Sequence, residues 1–233
     1  MNKAQLEQVT KALRIVEQAF VSVKRELHLG VTEIQIARWL KKYFKDAGYP
    51  RLAFPSIVAF GTNAAVPHHV PTARPLRSGV TVKIDCGVRV ASACTDVTRT
   101  FWFGKPNALF RRRYRAVLEA QRLAIAAVRP CVLGSTVDQV ARGYLREQGI
   151  GNYFIHGTGH GIGFRIHQKP YLSPKRGSGR LQSGQLVTVE PGVYFPAWGG
   201  IRVEDMVLVT DRGRQILSPN IQKMPNKIEI SPH

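Results

Sequence analysis

Residues 80–103 read VTVKIDCGVRVASACTDVTRTFWF and contain two β-type runs joined at residues 91–92. Such a pattern predicts a β-hairpin. If the turn has an even number of residues and is centred there, Asp96 lies opposite Gly87. Because side chains alternate between the two faces of a strand, Asp85 and Asp96 are then predicted to point to the same side, with Gly87 leaving room beside them.

The surroundings of these two aspartates favour a cation site. A single acidic residue in a strand most often lies on the solvated face. Asp85, however, sits in an apolar stretch. Unpaired carboxylates in such a place would cost several kcal/mol unless a cation satisfied them.

A second candidate segment is glycine-dense. Residues 156–163 read HGTGHGIG and are predicted to form a loop whose backbone can approach a ligand closely. His156, His160 and His167 are three of the seven histidines of the chain. A lone histidine is usually a loop or core residue, but this clustering favours a functional site.

Two glutamates complete the set of candidate ligands. Glu190 and Glu204 each lie among β-branched residues at predicted strand positions, and Arg202 is expected on the strand face of Glu204. An exposed pair of this kind would contribute little stability. Beside metal-bound carboxylates, however, an arginine would fix their orientation.

The candidate metal ligands are rich in oxygen and include no thiolate. They are Asp85, Asp96, His160, Glu190 and Glu204. Such a set suits Mn²⁺, Co²⁺ or Fe²⁺ better than a structural zinc, and it commonly activates water.

The rest of the chain repeats one plan. Apolar spacing predicts helices over residues 6–27, 32–48, 107–128 and 136–148, and Thr32 with Gln35 forms a capping box. The segment from Leu29 to Arg38 recurs in part, with Thr32 matched by Thr136. Strands are predicted over residues 57–60, 80–90, 95–103, 186–193 and 201–209. Each half therefore reads helix, helix, strands, which predicts an α+β fold with two halves related by a pseudo-twofold axis.

Size and composition predict one domain in a reducing compartment. The chain has 233 residues, 44% of them hydrophobic, and no linker-like segment divides it. We expect a single catalytic domain over residues 1–233, with halves of about 1–105 and 106–233. Three cysteines without paired spacing argue against disulfides. No apolar run approaches the roughly 20 residues that span a bilayer, so a cytoplasmic protein without a membrane partner is expected.

The charge balance is strongly basic. The chain carries 34 Lys and Arg against 15 Asp and Glu, a net charge of +19. This predicts non-specific binding of anionic surfaces as one open property. The basic residues are dispersed, so a specific nucleic-acid function is not favoured.

Together these segments resemble the pita-bread metallopeptidase family (M24), specifically its Xaa-Pro aminopeptidase and prolidase branch. The matching motifs, in family order, are residues 67–68, 84–87, 95–100, 156–163, 190–194 and 200–205. The resemblance implies the pita-bread fold, with helices packed on curved antiparallel sheet. It also implies peptide substrates with proline at the second position.

The resemblance assigns roles to single residues. It implies that Asp85 holds one ion, that Asp96 and Glu204 bridge two, and that His160 and Glu190 complete the other. Manganese is favoured over cobalt, iron or zinc, and a hydroxide between the ions is the implied nucleophile. The other residues given roles are Glu190 as proton carrier, His68, His156 and His167 as substrate contacts, Arg202 as support for Asp85, and Tyr194 and Ile166 as walls of a proline pocket.

The chain departs from the family pattern in three ways. Gln168 stands where the family usually has an acid after the histidine, so an effect on substrate preference is expected. Met1 lies almost at the first catalytic helix, which suggests that no separate N-terminal domain is present and leaves the assembly open, a homodimer included. Nothing in the family demands the charge of +19.

Two alternatives stay open at this stage. A methionine aminopeptidase would suit a short chain, although the residues around His68 and Glu204 look like the proline-specific branch. A non-catalytic pita-bread protein that binds through its basic surface is the other alternative. Such relatives typically lose ligands, whereas this chain keeps all five.

Overall fold

The computed structural model describes residues 1–91, 93–174, 179–220, 223 and 229–230. The helices in these ranges are α1 (Lys3–Ser22), α2 (Glu33–Asp46), α3 (Ala108–Ala127) and α4 (Gly134–Glu147). α1 and α3 have 20 residues each, and α2 and α4 have 14 each. The predicted repetition of a long and a shorter helix is therefore confirmed. No helix in the described ranges is long and apolar enough to cross a membrane.

The two shorter helices begin differently. Thr32 caps α2 and forms the predicted capping box with Gln35. Its counterpart Thr136 does not cap α4, because that helix already begins at Gly134. A Cβ on Gly134 would lie 2.2 Å from the Tyr171 carbonyl oxygen, so a glycine lets this helix start pack directly against the sheet.

The first half of the chain builds most of one sheet. Its strands are β1 (Ile57–Phe60), β2 (Val80–Cys86) and β5 (Val97–Phe103), with a short hairpin of β3 (Arg89–Val90) and β4 (Ala93–Cys94). The second half supplies β6 (Gly159–Ile162), β7 (Gln168–Leu172), β8 (Leu186–Val189), β9 (Gly192–Phe195), β10 (Gly199–Arg202), β11 (Asp205–Thr210), β12 (Gly213–Ile216) and β13 (Glu229–Ile230).

Two larger sheets result. One has the order β1-β2-β5-β13 and the other β12-β11-β8-β6-β7, while β9 and β10 form a separate hairpin. Neighbouring strands are antiparallel, except that β13 pairs with β5 in parallel. Apolar residues from the helices and sheets form one core cluster. The α+β prediction is thus confirmed.

The register of the hairpin agrees with the prediction. Cys86 pairs with Val97, and Arg89 pairs with Cys94, so continuing the register places Asp96 opposite Gly87. Residue 92, on which the predicted turn is centred, lies outside the described residues. The expected use of Gly87 was wrong, because a Cβ there would lie 1.8 Å from the carbonyl oxygen of Thr95, between β4 and β5. The glycine admits the neighbouring backbone and leaves no room for a ligand.

The glycine-dense segment was also predicted wrongly in part. Gly159–Ile162 form β6, which lies between β7 and β8 in the five-stranded sheet. A Cβ on Gly159 would lie 2.0 Å from the Thr188 carbonyl oxygen. The glycine therefore serves strand packing here, where a ligand-binding loop was expected.

Candidate metal centre

Three candidate ligands from separate segments form a compact group. Asp96 precedes β5, His160 lies in β6, and Glu204 joins β10 to β11. Each offers a ligand atom within 4.8 Å of the other two. All three side chains are buried, and Glu204 is only 1% exposed. The sequence-separated motifs therefore meet at one point of the fold.

The other two candidate ligands line the same cavity, which has a volume of about 1020 Å³. Asp85 Oδ2 accepts a hydrogen bond from Arg202 at 2.5 Å. Glu190 follows β8, and its Oε1 lies 3.3 Å from His160 Nε2. Asp85 and Glu190 lie outside the compact group of three, and each is paired with a neighbouring side chain.

Crowding and burial shift the acidity of this cluster. Burial, followed by the charges of the neighbouring carboxylates, raises the pKa of Asp96 and of Glu204 well above the usual range. Burial likewise raises the pKa of Asp85, although the Arg202 charge opposes it. Burial acts to raise the pKa of Glu190 as well, but the hydrogen bond and charge of His160 bring it down to about 2.

Two oxygens test whether a cation fits. Asp85 Oδ1 and Glu204 Oε1 are buried and, within the described residues, have no hydrogen-bond partner. Orphaned buried carboxylate oxygens are costly, and a divalent cation satisfies them. The donors are carboxylate oxygens and one imidazole nitrogen, as hard or borderline ions prefer. The residues present therefore fit a divalent metal site.

Arg202 connects this cluster to its surroundings. Its Nε donates to Thr98 Oγ1 at 3.0 Å, and Thr98 Oγ1 donates to Glu204 Oε2 at 2.7 Å. Its Nη1 donates to the Tyr194 hydroxyl and to the Pro67 carbonyl oxygen. One guanidinium thus orients the carboxylates and supports the loop before His68.

Sequence reasoning assigned no role to Thr98, which lies inside a quoted motif. It also missed the buried ion pair between Arg99 and Asp205, whose atoms are 2.8 Å apart with both side chains 0% exposed. Burial lowers the pKa of Arg99 to about 10. This pair fixes β5 against β11, next to the Glu204 amide that donates to the Thr98 carbonyl at 3.1 Å. The sequence signal for this pair was the position of Arg99 between Thr98 and Thr100 in a predicted strand.

His156 has both ring nitrogens engaged. Nδ1 lies 2.7 Å from the Gly157 carbonyl oxygen, and Nε2 lies 2.8 Å from the Tyr194 hydroxyl. Since a carbonyl only accepts, Nδ1 carries the proton, and Nε2 accepts from Tyr194. Desolvation of the ring, which packs between Tyr194 and Phe154, lowers the pKa of His156 to about 4. His156 is therefore neutral at pH 7.

The remaining predicted residues divide into two groups. His68, Ile166 and His167 line the cavity, and the His167 ring lies 4.3 Å from the His160 ring. Tyr194 is not among the residues that line the cavity, and its hydroxyl forms a hydrogen bond with His156 Nε2. Gln168 likewise does not line the cavity, and its side chain accepts from the Arg165 amide at 3.4 Å. The cavity wall also contains apolar residues that the sequence did not single out, Phe54, Pro55, Pro71 and Ile155.

Four carboxylates and one histidine that line one cavity form a ligand set of the kind that metallopeptidases use. The chain belongs to metallopeptidase family M24, whose family model matches residues 7–211. Its architecture is the pita-bread fold.

Similar proteins carry names that agree with this family. The chain is 37% identical over 216 residues to a Xaa-Pro dipeptidase of Pyrococcus furiosus, covering 93% of this chain and 62% of that protein. It is 38% identical over 217 residues to a putative Xaa-Pro aminopeptidase of Mycoplasma pneumoniae, covering 92% and 61%. The structure of an X-Pro aminopeptidase from Thermotoga maritima matches with a TM-score of 0.93 at 32% identity, covering 99% and 64%. The chain thus spans less than two thirds of the length of these relatives.

Proposed function

We propose that this chain is a divalent-metal-dependent peptidase that hydrolyses the bond between an N-terminal residue and a following proline. The observation that carries the proposal is the convergence of Asp85, Asp96, His160, Glu190 and Glu204 on one cavity. The names of the relatives, Xaa-Pro dipeptidase and Xaa-Pro aminopeptidase, support the proline preference.

The proposed cofactor is a pair of divalent ions, with manganese favoured. Asp85, Asp96, Glu204, His160 and Glu190 would hold them. Bound there, such ions supply a water of lowered pKa and polarise the scissile carbonyl. Both Asp85 and Glu204 keep one buried oxygen without a hydrogen-bond partner in the described residues, which supports their part as ligands.

Glu190 is the proposed proton carrier. Its side chain is 16% exposed and borders the cavity, and its low pKa keeps it ionised near neutral pH. A carboxylate in this state can accept at Oε2 the proton that the attacking water gives up and pass it to the leaving nitrogen of proline. Arg202 Nε, 3.9 Å from Oε2, would hold this oxygen toward the cavity.

The histidines are proposed to divide the work of binding. Neutral His156 has its only N–H on the Gly157 carbonyl, so we assign it to the cavity wall. His68 and His167, both exposed and lining the cavity, are the proposed imidazole contacts to the substrate. Ile57, Ile166 and Phe54 would surround the proline ring, which has no N–H and must be recognised by shape.

We also propose that residues 1–233 act as one catalytic unit. The first half, about 1–105, supplies Asp85 and Asp96, and the second half, about 106–233, supplies the other three ligands. Contacts such as the hydrogen bond from Thr98 to Glu204 link the two sets directly. Neither half holds the full ligand set.

A substrate series with several metals tests the proposal. The protein, stripped with a chelator and reloaded with Mn²⁺, Co²⁺, Fe²⁺ or Zn²⁺, is assayed on Xaa-Pro dipeptides, Xaa-Pro-Xaa tripeptides and Met-Ala-Xaa tripeptides. We expect release of the first residue from a proline substrate at least about tenfold faster than from Met-Ala-Xaa. No turnover with any ion, or faster cleavage of Met-Ala-Xaa, would overturn the proposal.

Matched variants make the result specific to the site. Asp96→Asn should lower kcat/KM by about a hundredfold or more, because the cluster loses a central carboxylate. Asp46→Asn removes an exposed carboxylate that pairs with Lys42, and it should leave kcat/KM within about twofold. The ratio between dipeptide and tripeptide rates then separates a dipeptidase from an aminopeptidase.

A further inference from the structure

Two fully buried carboxylates lie on equivalent helices, outside the metal cluster. Glu33 is in the first turn of α2 and Asp138 is near the start of α4, and both are 0% exposed. Each accepts several hydrogen bonds from a segment that carries a cavity histidine. Buried carboxylates with this many donors hold backbone in one place.

Glu33 organises the segment before and after His68. Its Oε1 accepts from the Phe60 amide at 2.7 Å and from Asn63 Nδ2 at 2.9 Å. Its Oε2 accepts from His69 Nε2 at 2.8 Å, and from the Thr72 amide and hydroxyl at 2.9 and 2.7 Å. The loop bearing His68 is therefore tied to α2 at both ends.

Lys83 reinforces this loop from the sheet. Its Nζ donates to the carbonyl oxygens of Ala64, Val66 and Pro67, at 3.1, 2.7 and 3.2 Å. All three carbonyls lie in the segment that leads to His68, and the Pro67 carbonyl directly precedes it. The lysine thus fixes the middle of the segment, and Glu33 fixes its two ends.

Asp138 does the corresponding work in the second half. Its Oδ1 accepts from the Thr158 amide at 2.9 Å and from the Thr158 hydroxyl at 3.0 Å. Both of its oxygens also accept from Arg142, which in turn donates to the carbonyl oxygens of Phe154 and His156. The backbone before and after His156 is therefore held by one carboxylate and one guanidinium.

Glu33 and Asp138 make equivalent contacts, although they do not occupy equivalent positions in the repeated sequence. In the repeated sequence register, Thr32 matches Thr136 and Arg38 matches Arg142, so Glu33 matches Val137 and Asp138 matches Ile34. Arg38 is exposed, whereas Arg142 is engaged with Asp138. The two halves thus reach the same arrangement with residues one position apart.

We propose that Glu33 and Asp138 are matched positioning residues, Glu33 for His68 and Asp138 for His156. For its kinetic consequence this inference rests on the proposed function. A general loss of rigidity would disturb both histidines together. A positioning role is selective, because each carboxylate contacts only one of the two segments in the described structure.

NMR signals of the histidine rings can measure this selectivity without an activity assay. The imidazole Cε1–Hε1 signals of the full chain are assigned with His68→Gln and His156→Gln. Glu33→Gln should shift the His68 signal and leave that of His156 in place, and Asp138→Asn should do the reverse. Exposed carboxylates on the same helices provide controls, Asp46→Asn on α2 and Glu147→Gln on α4, which should shift neither signal. Equal shifts of both signals in each variant, or shifts of neither, would overturn the inference.

Double-mutant cycles give the kinetic test. Glu33→Gln should lower kcat/KM about tenfold alone and in the His156→Gln background, but less than about twofold in the His68→Gln background. Asp138→Asn should show the opposite dependence. Additive losses in every background would refute the positioning role.

Milder variants keep the inference testable if Glu33→Gln or Asp138→Asn does not fold. Thr72→Val and Thr158→Val each remove one hydroxyl donor to the respective carboxylate while keeping the backbone donor. They should show the same selectivity with smaller shifts, and equal effects of Thr72→Val on both histidines would contradict the inference. If the wild-type protein turned over no substrate with any ion, the proposed function would fail, and the resonance experiment would still decide the positioning of the histidines.

Discussion

Arg202 shows how much one side chain can organise in a buried site. Its guanidinium donates to Asp85, Thr98, Tyr194 and the Pro67 carbonyl, and the side chain is 3% exposed. The planar fork of five N–H donors suits this arrangement, and a lysine ammonium has only three donors around one atom. Charge alone therefore does not replace this residue.

Arg202→Lys is expected to destabilise the protein despite keeping the positive charge. At least one buried partner loses its donor, which should cost about 2–4 kcal/mol in the free energy of unfolding. Urea denaturation at pH 7 measures this difference. The control is Arg122→Lys, which alters an exposed pair with Glu119 and should change the free energy by less than about 0.5 kcal/mol. Equal effects at the two positions would contradict the account of Arg202.

His156 predicts a pH dependence. Its pKa is about 4 in the folded chain and about 6.5 when unfolded, so below pH 6.5 the unfolded state binds more protons. Folding stability is thus lost as the pH falls from about 6.5 toward 4. In His156→Gln this loss is absent. As the pH falls from 7 to 4.5, the free energy of unfolding of the variant relative to that of the wild type should therefore rise by about 1–3 kcal/mol. Denaturation curves at several pH values measure the gap, which a pH-independent difference would contradict.

At the scale of elements, β6 shows why a strand can be made of glycines. It lies between β7 and β8, and its residues Gly159 and Gly161 have no space for a Cβ. The Glu190 amide donates to the Thr158 carbonyl at 2.7 Å, so the start of β6 also sets the position of Glu190. Close backbone approach here places His160 and Glu190 side by side.

Gly159→Ala should therefore lower both stability and metal affinity. A Cβ 2.0 Å from the Thr188 carbonyl forces β6 and β8 apart, and we expect a loss of about 2–4 kcal/mol. Gly143→Ala is the matched control, because this position in α4 has nothing within 4 Å of the added Cβ. It should gain about 0.5–1 kcal/mol. Thermal unfolding and Mn²⁺ titration calorimetry distinguish the two, and a stable Gly159→Ala variant with normal metal affinity would refute the argument.

The same elements show what the sequence predicts and what it does not. The presence of the long and short helices and the parity of the hairpin follow from local rules, namely apolar spacing, the Thr32 cap and side-chain alternation. The bounds follow less well, because α1 ends at Ser22 and α4 begins at Gly134, where residues 27 and 136 were predicted. β6 does not, because glycine is a poor strand former and the need for it arises from Thr188, a distant neighbour. The positioning carboxylates Glu33 and Asp138 are equally invisible, since their partners are backbone groups brought together only by the fold.

At the scale of the whole molecule, acids and bases are distributed unequally. Within the described residues, six acidic side chains are buried: Glu33, Asp85, Asp96, Asp138, Glu204 and Asp205. The buried basic residues are Lys83, Arg99 and Arg202. A chain with only 15 acidic residues thus commits many of them to its interior, and its surface is correspondingly more basic.

The burial of Glu204 predicts that Glu204→Gln changes stability in opposite directions with and without a bound metal ion. Because burial and neighbouring charges raise the pKa of Glu204, the metal-free folded state loses stability as the pH rises from the usual carboxyl range through the raised pKa. Metal-free Glu204→Gln should therefore be more stable than the metal-free wild type at pH 8, by about 1–2 kcal/mol.

Added Mn²⁺ should reverse this order. At a hundredfold excess over Kd, the ion stabilises the wild type by about 2.7 kcal/mol. The variant, with one ligand fewer, should gain much less. Thermal scans with chelator and with Mn²⁺ measure both states, and a wild type that is more stable than the variant under chelation would contradict the prediction.

The hydrogen bond between Arg202 and Asp85 joins positions 117 residues apart, and the one between Thr98 and Glu204 joins positions 106 apart. Contacts of such separation form late, because a long loop must close first. A metal ion held by all five proposed ligands would therefore depend on contacts between the two halves of the chain. Binding of such an ion to a newly made molecule would report that its two halves have come together.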